Sequence, residues 1–213
     1  MEDTSPAFKK VLREYRDRLA SEEAYQQSLT VKSDMMKVRD TLLLPVGEDI
    51  AQLCVDLIVA RNAKVIVELG SSYGYSTLYL AEAARRTGGM LYSYEIHPGK
   101  QQHARERIEA AELGDCVDWR LGDAVKLLAD QPGPIEFVLL DLWKDMYIPC
   151  LDVFHPKLAP NGLIVADNML MPEFNRPEGA AYRAAVRAKP EMEAVLLPIG
   201  QGIDLACRSN RPQ

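Results

Sequence analysis

Residues 64–79 read Lys-Val-Ile-Val-Glu-Leu-Gly-Ser-Ser-Tyr-Gly-Tyr-Ser-Thr-Leu-Tyr, and how this stretch is read decides the fold. A short β-branched run at 65–67 closes on Glu68, Gly70 and Gly74 break the pattern, and an Ala/Leu-rich helical stretch follows. That order is strand, glycine turn, helix. In an open parallel sheet a ligand binds beyond the carboxyl ends of the strands, and glycines there let it approach the backbone and the amino end of the next helix. The ligand expected is nucleotide-like without being a dinucleotide. The spacing departs from G-x-G-x-x-G, and Glu68 just ahead of the turn would oppose a pyrophosphate but suit an ammonium group. S-adenosylmethionine, which carries both a sulfonium and an ammonium, is the better match.

Working outward, strand and helix patterns alternate. Residues 48–60 form a helix leading into the first strand; 90–94 form a strand ending at Glu95, and 98–113 a helix. Residues 116–121 are a strand ending in Gly122-Asp123, 124–129 a short helix, and 135–140 an apolar strand stopping at Asp141. Residues 147–158 are helical, and Asn161-Gly162 turns into a strand at 163–166 that ends at Asp167-Asn168. Repeated strand-helix units predict an α/β fold, a mostly parallel sheet with helices on both faces. The tail departs from this with a helix at 179–188 and two strands, 194–199 and 203–208, that read as a closing hairpin. At the other end Phe8, Val11, Leu12, Tyr15 and Leu19 mark one face of a helix begun at Ser5-Pro6. That helix either packs on the outside of the domain or serves as a lid or homodimer contact. Residues 35–44 are mixed, and the Leu-Pro-Val-Gly turn through Val46 lies near the ligand.

Acidic residues stand at strand ends: Glu68, Glu95, Asp141 and Asp167, with Asp123 just past another. Parallel strands bring all five to one rim, where they repel unless cations lie among them. The donor accounts for the charge near Glu68. Glu95, about 20 residues past the turn, is placed for ribose hydroxyls, and Asp123 for the adenine amino group; helix capping or simple solvation stays open for both. On the other side, Asp141 with Lys144 and Asp167 with Asn168 converge from neighbouring loops. Oxygen ligands without His or Cys select Mg²⁺, Mn²⁺ or Ca²⁺. Asp141, Asp167 and Asn168 would leave about three of roughly six Mg²⁺ positions open, enough for two adjacent hydroxyls and a water. That counting predicts a vicinal-diol acceptor. Ionising a phenol of pKa near 10 at neutral pH costs about 4 kcal/mol, which a dication offsets in large part. Lys144, three residues past Asp141, is placed as the general base.

Composition narrows the field further. A chain of 213 residues with 47% hydrophobic and 26% charged residues suits one well-buried globular domain, with 1–45 a helical segment and 46–208 the catalytic core. A net charge of -6 without a Lys/Arg cluster argues against a nucleic-acid backbone. No apolar run approaches the roughly 18 residues of a membrane span, and the amino-terminal residues lack a secretory pattern, so a cytoplasmic protein without membrane partners is expected. Cys54, Cys116, Cys150 and Cys207 form no C-x-x-C pair and read as free thiols.

The motifs Ile66-Val67-Glu68-Leu69-Gly70, Tyr73-Gly74-Tyr75-Ser76, Glu95, residues 140–147 with Asp141-Leu142-Trp143-Lys144, and Ala166-Asp167-Asn168 with Pro172 resemble the catechol O-methyltransferase family, related to caffeoyl-CoA O-methyltransferases. The resemblance runs over about residues 42–208. It implies a Rossmann-like class I methyltransferase fold with a seven-stranded sheet whose last strand is antiparallel. It implies that Asp141, Asp167 and Asn168 hold Mg²⁺ and that Lys144 is the base. Val46, Gly70, Tyr73, Ser76, Glu95 and Trp143 then contact the donor, with Asp141 beside it, and Pro172 walls the ring of a phenolic small-molecule substrate. Four positions depart from the family pattern. Leu42 and Leu44 replace aromatic and methionine walls, Leu142 replaces a histidine, and no late glutamate appears in the run Val195-Leu196-Leu197-Pro198. The rivals are a nucleotide-dependent oxidoreductase, which shares Glu95 but lacks the glycine fingerprint, and a donor-binding module without catalysis.

Overall fold

The computed structural model describes residues 4–28, 32–38, 40–189 and 191–209. Residues 1–3 of the amino-terminal stretch read above, and Arg39 of the mixed stretch, lie outside the described residues. In chain order the strands are β1 (Val65–Leu69), β2 (Met90–Glu95), β3 (Val117–Leu121), β4 (Ile135–Leu140), β5 (Leu158–Ala166), β6 (Met192–Leu197) and β7 (Ile203–Arg208). The helices are α1 (Pro6–Ser28), α2 (Lys32–Val38), α3 (Glu48–Arg61), α4 (Tyr75–Thr87), α5 (Pro98–Ala110), α6 (Ala124–Leu127), α7 (Tyr147–Phe154) and α8 (Arg176–Arg187). Among the described residues the seven strands make one sheet in the order β3-β2-β1-β4-β5-β7-β6. β1 pairs in parallel with β2 and β4, and β7 runs antiparallel to both β5 and β6.

This order puts β1, the most apolar of the early strands, in the middle of the parallel part. Its side chains alternate between two cores. Ile66, Phe137, Leu139 and Val165 face one core, shared with α1, α3, α4 and α5. Val67, Leu69, Val138, Leu140 and Ile164 face the other, covered by α7 and α8. Period-two alternation with both faces apolar is what a strand covered by helices on each side requires.

The apolar stripe of α1 belongs to this core. Phe8, Val11, Leu12 and Tyr15 are buried, Phe8 edge-on to Tyr79 and Tyr15 edge-on to Tyr75. Several boundaries differ from the sequence reading. The helices expected at 98–113, 124–129 and 147–158 end earlier, at Ala110, Leu127 and Phe154, the last two passing into short 3-10 turns. The clearest correction is Asn161-Gly162, read as a turn before a strand at 163. β5 already begins at Leu158, and the two residues form an irregularity inside it, between the pairs Ile135↔Leu158 and Phe137↔Leu163. Asn161 takes a positive φ of 60° there. A turn-forming pair is also what a bulge requires, so composition alone did not separate the two.

Candidate active site

The carboxyl ends of β1, β2, β4 and β5 meet along one rim. The glycine turn after β1 is wedged between its neighbours: Gly70 and Ser71 donate N–H to Tyr94 O at 2.9 and 3.1 Å, and Asp141 N–H donates to Leu69 O at 3.0 Å. Gly70 has φ +98°, and a Cβ there would stand 2.3 Å from Asp141 O. Gly74 has φ +92°, and its Cβ would meet Ala104 Cβ at 2.8 Å and Tyr15 Oη at 2.9 Å. These glycines first let the protein's own chain close around the turn, a requirement beyond the ligand approach inferred from their spacing.

Glu68 lies behind the turn. It is completely buried, and its carboxylate accepts from Ser76 Oγ at 2.6 Å, Thr77 Oγ1 at 2.7 Å and Ser93 Oγ at 2.7 Å. Burial pushes its pKa up to about 7 against the lowering effect of those three hydroxyls. The sequence reading had this carboxylate facing an ammonium group; its oxygens instead face the three hydroxyls, because the β1 pleat turns residue 68 inward under α4. Glu95 sits at the rim as expected, accepting from Ser72 N at 2.8 Å and His97 N at 2.8 Å. Asp123, just past β3, caps α6, accepting from Val125 N at 3.0 Å. Tyr73 ties the turn to the amino-terminal segment. Its hydroxyl donates to Asp40 O at 2.5 Å, its carbonyl accepts from Tyr15 Oη at 2.6 Å, and Arg18 lies over its ring. Val46 is buried beside the start of α3, and Trp143 and Pro172 are half-buried.

The second group forms where β4 and β5 end side by side. Lys144 opens a short 3-10 turn after β4 and is buried. Its Nζ donates to Asn168 Oδ1 at 3.0 Å, to Tyr147 Oη, and more weakly to Leu142 O at 3.4 Å. Asn168 takes φ +55°, a conformation asparagine tolerates, which turns its amide back toward β4. Asp167 is buried, and its Oδ1 has no hydrogen-bond partner among the described residues. Burial raises the pKa of Asp141 and of Asp167, where proximity to Asp141 adds to it; Lys144 opposes both shifts. Burial also lowers Lys144, and the two carboxylates resist that. The cluster is short of positive charge. No group of three His, Cys, Asp or Glu side chains gathers for a metal among the described residues; the oxygen donors here are two carboxylates and one carboxamide.

Two neighbours of this cluster escaped the sequence reading. Tyr147 Oη, completely buried, donates toward Leu140 O at 2.8 Å and Asp167 O at 3.1 Å. Its signal was its position one helical turn past Lys144. Gln201, in the turn between β6 and β7, accepts from Asn168 Nδ2 at 2.8 Å through its Oε1, and its main chain accepts from Leu170 N and Met171 N at 3.0 Å each. Because β7 is the antiparallel strand, β6 runs with the others and its turn emerges on the same rim, so the topology located Gln201 even though its residue type did not.

A sheet in this order, with a glycine turn after β1 and acidic residues at the following strand ends, defines a class I methyltransferase. The family model described as Methyltransferase domain matches residues 67–169. A caffeoyl-CoA O-methyltransferase from Petroselinum crispum is 30% identical over 191 residues, 78% of this chain and 77% of that protein. The chain belongs to the O-methyltransferase family that includes the catechol and caffeoyl-CoA enzymes. A catechol O-methyltransferase from Niastella koreensis is 32% identical over 125 residues, 57% of this chain and 53% of that protein, so the chain spans about half the length of this relative. The fold also matches an O-methyltransferase from Bacillus cereus solved in complex with SAH, with a TM-score of 0.73 at 21% identity over 89% of this chain and 97% of that one.

Proposed function

We propose that this chain transfers a methyl group from S-adenosylmethionine to one hydroxyl of a catechol-like acceptor, with a divalent cation, Mg²⁺ or else Mn²⁺ or Ca²⁺, held at the rim. The observation that carries this reading is Asp167 Oδ1, buried and without a hydrogen-bond partner among the described residues, in a cluster with Asp141 and Lys144. A buried carboxylate oxygen left open is costly until a cation or donor meets it. Asp141, Asp167 and Asn168 would hold the ion through oxygen alone, which suits a hard cation. When bound, such an ion supplies positive charge that favours ionisation of an acceptor hydroxyl.

The remaining work falls to the chain's own residues. The Lys144 ammonium has no lone pair to accept a proton, so it must first give one up; burial, which pulls it below the ordinary lysine range, favours that loss. As the free amine its Nζ takes the hydroxyl proton, and the acceptor oxygen forms the new bond to carbon as the methyl–sulfur bond breaks. Most of the rate gain is positioning and charge stabilisation. In this reading Val46, Gly70, Tyr73, Gly74, Ser76, Glu95, Asp123, Asp141 and Trp143 surround the donor, with Glu68 acting through Ser76. Asn168 and Pro172 orient the acceptor. The names of the Niastella and Petroselinum relatives support an acceptor of this class. A caffeoyl-CoA-type ester, whose aromatic ring is itself a catechol, is the second reading, favoured by the longer match to the Petroselinum protein.

The test is methyl transfer over a panel of simple catechols, flavonoids and acyl-CoA esters, with added Mg²⁺ and with chelator. Turnover of vicinal diols that stops with chelator, and stops in Asp141→Ala while donor binding persists, is the expected result. A rate indifferent to chelator overturns the metal-dependent mechanism, and turnover confined to monohydroxyl acceptors overturns the substrate class.

A further inference from the structure

Lys144 is a long, flexible side chain, and a base on such a stem transfers a proton well only if its nitrogen is held in place. One of the groups that hold it is Tyr147 Oη. Among the described residues this hydroxyl meets three things at once: Lys144 Nζ, the carbonyl of Leu140 at the end of β4, and the carbonyl of Asp167 just past β5. The ring is completely buried and fixed edge-on against Tyr182, with centroids 5.3 Å apart. As a neutral partner it anchors Nζ without adding a third negative charge beside Asp141 and Asp167.

From this we infer that Tyr147 is a positioning residue that aims Lys144 at the acceptor hydroxyl and locks it in register with the two acid-bearing strand ends. The inference rests on the reading of Lys144 as the base. Tyr147 acts through Lys144, so its contribution to turnover vanishes when Lys144 is gone.

A double-mutant cycle tests this with Tyr147→Phe, Lys144→Met and the pair. Tyr147→Phe keeps the ring and removes only the hydroxyl. It is expected to lower kcat about tenfold, the order for losing one buried hydrogen bond. KM for the catechol and the affinity for S-adenosylhomocysteine by calorimetry stay within about twofold. The double variant should turn over no more slowly than Lys144→Met alone. A second readout needs no turnover: the rate at which trinitrobenzenesulfonate labels Lys144, followed by peptide mass spectrometry, rises in Tyr147→Phe. Replacing Tyr147 with p-aminophenylalanine, which returns a polar group to the same place, recovers part of the rate, and this variant stands alone if Tyr147→Phe does not fold. Wild-type kcat and labelling in Tyr147→Phe, with Lys144→Met inactive, overturn the inference and leave Lys144 as the base. Undiminished turnover in Lys144→Met overturns the reading of Lys144 itself. An equal fold-loss from Tyr147→Phe in both Lys144 backgrounds assigns Tyr147 a structural role only, and overturns the inference.

Discussion

Glu68 shows how one residue on the central strand can serve the fold and the pocket together. Three hydroxyls from β2 and α4 converge on it, and burial still holds its pKa at about 7 against an ordinary 4.5. The folded state therefore binds this proton more tightly than the unfolded state does. The stability from protonated Glu68 is complete below the unfolded pKa and is lost as pH rises through the folded one. The difference comes to about 3 kcal/mol between about pH 4 and about pH 8. Glu68→Gln mimics the neutral form, so its urea-denaturation stability should gain on the wild type by about that amount across the same range. Two parallel pH curves would remove Glu68 as the source. Gly70 carries a different constraint, since φ +98° and a Cβ position 2.3 Å from Asp141 O leave no room for a side chain. Gly70→Ala is expected to cost about 3 kcal/mol or more and to weaken donor binding as the turn and Asp141 move apart. Calorimetric donor affinity equal to wild type would show that the turn relaxes without disturbing the pocket. At this scale the strand-end acids were legible because each stands where an apolar run stops. For Tyr147 only the spacing past Lys144 was legible, and for Gln201 only the place that the topology gives its turn; their contacts to Asp167 and Asn168 cross between strand ends and leave no mark in local sequence.

Among the elements, α1 is where sequence and structure say the most about each other. Helical spacing identified the stripe Phe8, Val11, Leu12 and Tyr15, but a stripe alone does not reveal what covers it. In the structure α1 lies on α4 and shares its core, and through Tyr15 and Arg18 it meets Tyr73 of the glycine turn. The segment joining α2 to α3 is tied into the same corner: Leu43 N donates to Glu22 Oε2 at 2.9 Å, and Arg18 donates to Thr41 O at 2.9 Å. If α1 is part of the core, Phe8→Ala should lower stability by about 3–5 kcal/mol, the usual cost of emptying a buried aromatic site. If α1 were a detachable lid, the same change would alter substrate kinetics and leave the urea midpoint where it was. β5 is the opposite case. Its apolar half was readable from 163 onward, while Leu158 and the residues up to Gly162 were hidden because asparagine and glycine punctuate bulges and turns alike.

Over the whole molecule, five acids that end or follow strands gather at the carboxyl rim of the sheet. The topology made this legible in advance, since parallel strands whose sequences end in acids must gather those acids on one side. What it left open was how each acid is satisfied. Glu68 is closed by hydroxyls, Glu95 by backbone N–H groups and Asp123 by a helix start, whereas Asp167 keeps an open buried oxygen beside Asp141 with Lys144 as the nearby cation. Unmet negative charge opposes folding, so a cation that binds only the folded state must raise stability by mass action. At a hundredfold excess over its dissociation constant that gain is about 3 kcal/mol, which for a chain of this size shifts the melting temperature by about 5–10 °C. Mg²⁺ titrated into the donor-free protein, followed by calorimetry, should give such a shift, with chelator reversing it. Asp167→Asn keeps the shape of the side chain and discards its charge, and should melt at one temperature with or without Mg²⁺. An equal shift in Asp167→Asn would place the ion elsewhere on the surface, and no shift with Mg²⁺, Mn²⁺ or Ca²⁺ would leave Lys144 as the cation that completes the rim.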